Sequence, residues 1–297
     1  MAAITDRPES SAESLRVLIC WSRHEENSWT PDLAEYLRRG GDAVTEVHDL
    51  ESLRELPLGS FDVCLPRFRM GDTDMACLDE VLMRSRIPML NSYGCRRLCE
   101  NKALAHLAFE ETGLRQPQSF VISREGVIDR HLEWPGSTIV KPLDGNRSQG
   151  IETFDEYEAA VEAARARAED LLVQEMIWPA RCWRVICGRT CGIVDAYWRR
   201  PDSPEQNVLS ITGGASIVRD PIPDEVARLA IGMTAAVDGD ILGVDVLEAE
   251  DHAYALEVNH NFDAHGGTEV AADAFREEML ARIAGPRAAS ESQPVAV

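Results

Sequence analysis

Two apolar runs, ILGVDVLEA (241–249) and YALEVN (254–259), each carry a carboxylate in a stretch that otherwise reads as buried strand. A short acidic turn separates them, so the pattern predicts a β-hairpin centred near Asp251. That centre places Asp245 directly opposite Glu257, with Asn259 on the same face because side chains alternate along a strand. Val244, Val246, Leu256 and Val258 then point to the other face, into a core. Two carboxylates facing each other across a ladder destabilise it unless something neutralises them. A divalent cation would do so, and the hard oxygen donors of Asp245, Glu257 and Asn259 suit Mg²⁺ or Mn²⁺. The alternative is a solvated face on which arginines relieve both acids.

Upstream, strands and helices alternate. RVLICW (16–21), AVTEVHDL (43–50), FDVCLPRF (61–68) and IPMLNS (87–92) read as strands, with helices near 32–39 and 75–84. This βα order implies a small, mostly parallel sheet. A helix over 96–112 stops at Gly113 and leads to a short strand at 118–123. STIVKPL, a helix over 155–168 and LLVQEMI (171–177) follow, then a strand pair, CWRVICG and CGIVDAYW, and helices over 223–237 and up to about 284. The class is α/β with much antiparallel pairing in the second half. The expected division is a disordered leader (1–14), an N-terminal βα domain (15–92), a linker helix with a central subdomain (93–177), a C-terminal subdomain (178–285) and a disordered tail (286–297).

Only two of the 30 basic residues are lysine, Lys102 and Lys141. Where arginine serves almost everywhere else, a surviving ammonium invites a chemical reason: a compact point charge on a flexible stem suits phosphate oxygens in a narrow cleft. Lys141 begins KPLDGNRSQG, a strand end running into a loop with Gly145, Asn146, Ser148, Gln149 and Gly150. Such a loop can present backbone N–H groups to phosphate. It is not a P-loop, because the lysine precedes the glycines, and glycine-bearing loops after strands are common. The strand LLVQEMI ends in Gln174-Glu175-Met176, where unpaired backbone groups could meet a purine edge; an ordinary core strand would read the same way.

Taken in order, Lys102, Lys141, the glycine-bearing loop, QEMI, RVICG, GVDVLEA and EVN resemble the ATP-grasp superfamily and, within it, the RimK-like branch. LPRF (65–68) and MLNSYGCRRLCENKAL (89–104) extend the resemblance into the first domain. It implies an ATP-grasp fold and a carboxylate–amine ligase that makes an amide through an acyl phosphate, converting ATP to ADP. It implies that Lys102 and Lys141 contact the phosphates, with Lys141 also near the adenine, that Gly145 to Gly150 form a lid, and that Gln174, Glu175 and Met176 border the adenine. Asp245, Glu257 and Asn259 would hold Mg²⁺ or Mn²⁺ against the phosphates. Asn207 matches the branch's asparagine before a glycine pair, here Gly213–Gly214, at a spacing two residues longer. Arg184, with Arg199 or Arg200, would grip the substrate carboxylate and stabilise the oxyanion, and His260 or His265 would assist the amine. Two positions depart from the pattern: Cys182 stands where an acid precedes Arg184, and Glu205 where a basic residue is common.

The substrates so implied are a small carboxylate and an amine, an amino acid or peptide. A ring-closing or peptide-modifying ligase and a non-catalytic nucleotide-binding module stay open, as does the homo-oligomer common in the branch. A formal net charge of −21 argues against a nucleic-acid partner. The polar N-terminal stretch lacks the apolar core of a signal peptide, and no apolar run reaches bilayer length, so a cytoplasmic protein with free thiols and no membrane contact is expected. Arg67, Ser92, Trp21, His24 and Trp29 are expected at the cleft, since ligands gather at the carboxyl ends of parallel strands.

Overall fold

The computed structural model describes residues 14–22, 29–70, 73–128, 130, 132–144, 149–178, 181–201, 215–250, 252–265 and 268–285. Three sheets organise them. The first is built from β1 (Arg16–Trp21), α1 (Thr30–Arg39), β2 (Ala43–Val47), α2 (Leu50–Arg54), β3 (Val63–Arg67) and α3 (Thr73–Ser85). Its strands run parallel in the order β2-β1-β3. One face packs Leu18, Cys20 and Cys64 against α3; the other packs Val17, Ile19 and Leu65 into a core shared with the C-terminal helix.

The stretch 87–92 makes only a single parallel bridge, Cys64 to Met89, rather than a strand. Asn91 takes a left-handed backbone, φ 59°. Its side chain then donates to Ile241 O at 2.7 Å and accepts from the N–H groups of Asp240 and Ile241. The bend thus ties this part of the chain to a distant strand. The helix expected over 96–112 is two helices, α4 (Tyr93–Glu100) and α5 (Lys102–Glu111). Asn101 leaves helical geometry, and its side chain caps α5 by accepting from Leu104 N at 3.1 Å. Lys102 therefore opens a new helix, and its backbone N–H is donated to Leu143 O at 3.1 Å.

The second sheet comprises β4 (Ser119–Ile122), β5 (Thr138–Pro142), β6 (Glu152–Phe154) and, after α6 (Tyr157–Ala166), β7 (Leu171–Glu175), in the antiparallel order β4-β7-β5-β6. The third holds β8 (Arg181–Gly188), β9 (Gly192–Arg200), β10 (Ser216–Val218), then α7 (Asp224–Ala236), β11 (Ile241–Glu248), β12 (Ala253–Asn259) and α8 (Thr268–Ala284). Its order is β10-β9-β8-β11-β12, all antiparallel. One face, with Trp183, Val185, Cys187, Val244, Val246 and Val258, packs on α5 and α7. A bulge between Asp245 and Val246 sets Val246 against Ala255. Ala255 thereby takes the core position, and Leu256, expected inside, is half-buried.

The opposite face joins the first sheet through Ile186, Ile241, Phe262 and α8. Arg67 clamps this junction. It donates to His260 O at 3.2 Å, to Phe262 O at 2.7 Å and to Thr30 Oγ1 at 3.4 Å. Its guanidinium also lies 5.5–5.6 Å from the ring centroids of Trp29, Phe262 and Phe275. Trp29 is buried here, donating to Phe262 O at 2.6 Å. Neither residue lines a cleft, because the carboxyl end of this parallel sheet is spent on docking residues 260–262. Ser92 caps α4, accepting from Cys95 N, and Trp21 donates to Glu46. His24 lies outside the described residues. All eight cysteines are free. Among the described residues no helix is long and apolar enough to cross a membrane.

Replacing Arg67 with Met should remove these donated bonds and leave buried acceptors unmatched, costing about 3 kcal/mol of unfolding free energy. Urea unfolding measures it; a loss below about 1 kcal/mol would show that the junction holds without the clamp.

Candidate active site

The hairpin register is the expected one at its chemical end: Asp245 pairs with Glu257 and Gly243 with Asn259. On the other flank β8 sets Arg184 opposite Asp245. Arg184 grips the carboxylate with both prongs, Nε to Oδ1 at 2.7 Å and Nη2 to Oδ2 at 3.0 Å. From β9, Arg199 adds Nη2 to Oδ1 at 3.1 Å. Asp245 is 4% exposed, so a solvated face is not what relieves it; the two arginines do. Burial works against the charge on Arg199, yet Asp245, with Cys182, Tyr197 and Glu257, holds its pKa above the ordinary value. A side chain at Gly243 would put its Cβ 2.6 Å from Phe262 Cβ and 2.9 Å from Arg184 Nη1, which explains a glycine inside this strand.

The second sheet faces this cluster with Lys141. Its ammonium is buried and donates to Gln174 Oε1 at 2.8 Å. Burial lowers its pKa to about 8, aided by Lys102 and opposed by Glu257, Asp245 and Cys182. Those influences bring both lysines, the hairpin acids and Cys182 into one electrostatic neighbourhood. Lys102 is also buried, its Nζ 3.5 Å from Leu143 O. Cys182, standing in the acid's place, is pushed up to about 11 by burial and lies 3.5 Å from Arg199 Nη1.

Gln149 and Gly150 begin the return of the loop after β5. Gly150 has φ +70°, and a Cβ there would be 2.9 Å from Pro142 Cγ. Gly145, Asn146, Ser148 and Asn207 lie outside the described residues. Glu175 and Met176 donate their backbone N–H groups to Gln118 O and Ser137 O, at 2.8 and 3.0 Å. Those N–H groups are thus engaged within the protein. Arg200 is exposed and pairs with Ser216 along the ladder; strand alternation turns it away from Asp245. Among the described residues the buried amide nitrogen of Asn259 meets no hydrogen-bond partner.

His260 is buried on Glu100, Nε2 to Oε1 at 2.9 Å, and burial lowers its pKa. His265 is exposed beside Tyr197, its carbonyl accepting from Arg219. The sequence reading missed Tyr197, Arg219 and His106. His106 stands four residues after Lys102 on α5, a spacing that shares a helix face and could have flagged it. Its Nε2 is 3.2 Å from Gln174 Nε2.

A family model described as the RimK-like ATP-grasp domain matches residues 100–283. A probable alpha-L-glutamate ligase of Parasynechococcus marenigrum (strain WH8102) is 26% identical over 258 residues, 83% of this chain; the chain spans only 50% of that relative's length. The fold is similar to D-alanine–D-alanine ligase from Bacillus anthracis complexed with ATP, with a TM-score of 0.65 and 12% identity over 91% of this chain and 99% of that one. It is also similar to the ATP-grasp ligase PsnB complexed with minimal precursor, Mg and ADP, with a TM-score of 0.64 and 16% identity over 91% and 100% of the two chains. The domain match covers more than half of the sequence and runs through both lysines and the hairpin, so the chain belongs to the RimK-like ATP-grasp family.

Proposed function

We propose that the protein is an ATP-dependent carboxylate–amine ligase acting on an amino acid or small peptide. The observation that carries this reading is the gathering of the buried Lys141, with the buried Lys102 beside it, around the buried Asp245 and the half-buried Glu257, from α5, β5 and the β11–β12 hairpin. A carboxylate oxygen attacks the γ-phosphorus, the bond to the β–γ bridging oxygen breaks, and ADP leaves. The amine nitrogen then attacks the acyl carbon of the acyl phosphate, and inorganic phosphate departs as the C–O bond breaks. Positioning and charge neutralisation do most of this work. Lys102 and Lys141 hold the phosphates. The carbonyls of Glu175 and Met176 border the adenine. Arg184 and Arg199 bind the reacting carboxylate and the oxyanion that forms from it, a task for which the guanidinium fork is suited.

The donor set also fits a divalent ion. Asp245 and Glu257 offer hard oxygens across one ladder, and Asn259, two residues after Glu257 on the same face, adds an amide oxygen. Bound Mg²⁺ would neutralise phosphate charge; to admit it, Asp245 must loosen its bonds to Arg184 and Arg199. Glutamate is the first amine to test, given the similarity to probable alpha-L-glutamate ligases. Eight free thiols suit a reducing compartment, and we place the reaction in the cytoplasm.

ADP and phosphate release with Mg²⁺-ATP, across amino acids and dipeptides singly and in pairs, tests the proposal. Substrate-dependent ADP formation is expected, falling roughly 100-fold or more in Asp245→Asn. AMP as product, or no ATP binding at all, would sink it. A second expectation concerns pH. With Lys141 near 8, kcat/KM for ATP should fall as pH rises through about 8, because the free enzyme loses its phosphate-binding ammonium. A profile flat to pH 9.5 would remove Lys141 from that role.

A further inference from the structure

Lys141 does not aim itself. Its ammonium is a donor only, so the group 2.8 Å away must accept, which fixes Gln174 with Oε1 toward the lysine. The other end of that amide, Nε2, is then a donor, and it meets His106 Nε2 at 3.2 Å. That ring nitrogen must carry a lone pair, so the imidazole is neutral with its hydrogen on Nδ1. Nδ1 lies 3.5 Å from Ser119 Oγ, and the Gln116 side chain and the backbone of Leu256 on β12 also stand as hydrogen-bond partners of the ring. Burial, with the nearby charge of Lys141, holds His106 down to about 3, so the accepting form is the resident one at neutral pH. Turning the Gln174 amide over would set an N–H against an ammonium and an oxygen against a lone pair. Both ends of the relay oppose the flip.

Gln174 is 1% exposed and His106 5%, so both are buried together with the lysine, itself 5% exposed. Lys102 and His106 lie one turn apart on α5. One helix therefore supplies one lysine directly and the acceptor that orients the other. We infer that His106 and Gln174 form a positioning relay that points the Lys141 ammonium at the nucleotide phosphates. This rests on the reading of Lys141 as a phosphate contact.

A double-mutant cycle on ATP affinity tests it. Calorimetric titration of the full chain with Mg²⁺-ATP, without carboxylate or amine, would compare Lys141→Met, His106→Phe, His106→Gln and the Lys141→Met/His106→Phe double variant. Lys141→Met should weaken ATP binding at least roughly tenfold. His106→Phe, which leaves the Gln174 N–H without an acceptor, should weaken it roughly tenfold as well. His106→Gln, whose amide oxygen can take the same bond, should stay within about threefold of the parent. In the Lys141→Met background, His106→Phe should add nothing. Equal weakening in both backgrounds, or an unchanged affinity in His106→Phe beside a weakened Lys141→Met, would overturn the relay while leaving Lys141 at the phosphates. An unchanged Lys141→Met would remove the phosphate contact and the relay with it. Should His106→Phe fail to fold, Gln174→Met takes its place in the same cycle.

Discussion

A carboxylate with 4% of its surface exposed must be compensated from within the protein, and Asp245 is compensated twice. An unpaired charge at such depth costs several kcal/mol or is lost by protonation. The two guanidinium groups that prevent this come from neighbouring strands, so β8 and β9 can take only the register that delivers Arg184 and Arg199 to the same face. Arg184 reaches Asp245 across Gly243, where no side chain could fit between it and Phe262. Phe262 in turn is held by Arg67 and Trp29. One buried charge thus constrains a chain of contacts that ends at the docking of the parallel sheet.

The same cluster reverses the local sign of a chain whose formal net charge is −21. Lys102, Lys141, Arg184 and Arg199 outnumber Asp245 and Glu257 in a region with little solvent to screen them. At physiological ionic strength, fields from surface acids fade within roughly 8 Å, whereas charges in a low-dielectric cleft are screened much less. An acidic surface therefore does not forbid a polyanionic nucleotide; under the proposed function the nucleotide is confined to the place where these cations are gathered.

The chemical end of the hairpin was legible because strand alternation and a short acidic turn leave one register that buries the valines. The bulge was not, since nothing in YALEVN marks the residue that is squeezed out, and Ala255 displaced Leu256 from the core. The lysines stood out through scarcity in an arginine-rich chain. Asn101, followed by an apolar helical stretch, carried a capping signal, but the periodicity on either side read as one helix. The rule that ligands gather at the carboxyl ends of parallel strands points Arg67 and Trp29 to a pocket, and it does not foresee a returning loop filling the same space. His106 looked like any histidine on an apolar helix face. Its meaning depends on Gln174, 68 residues away, and such pairing is invisible until the second sheet is in place.

Cys182 shows how one departure from a family pattern propagates. It stands across the ladder from Arg199, 3.5 Å from that guanidinium, and burial keeps the thiol neutral. A carboxylate at this position would draw Arg199 into an ion pair of its own, leaving Asp245 to Arg184 alone. With a neutral thiol, Arg199 turns its charge to Asp245 instead. The carboxylate is then held by two cations at three contacts, and any divalent ion has to compete with both. The residue that looks like a lost substrate contact in the sequence is, in the folded protein, a setting on how firmly Asp245 is held.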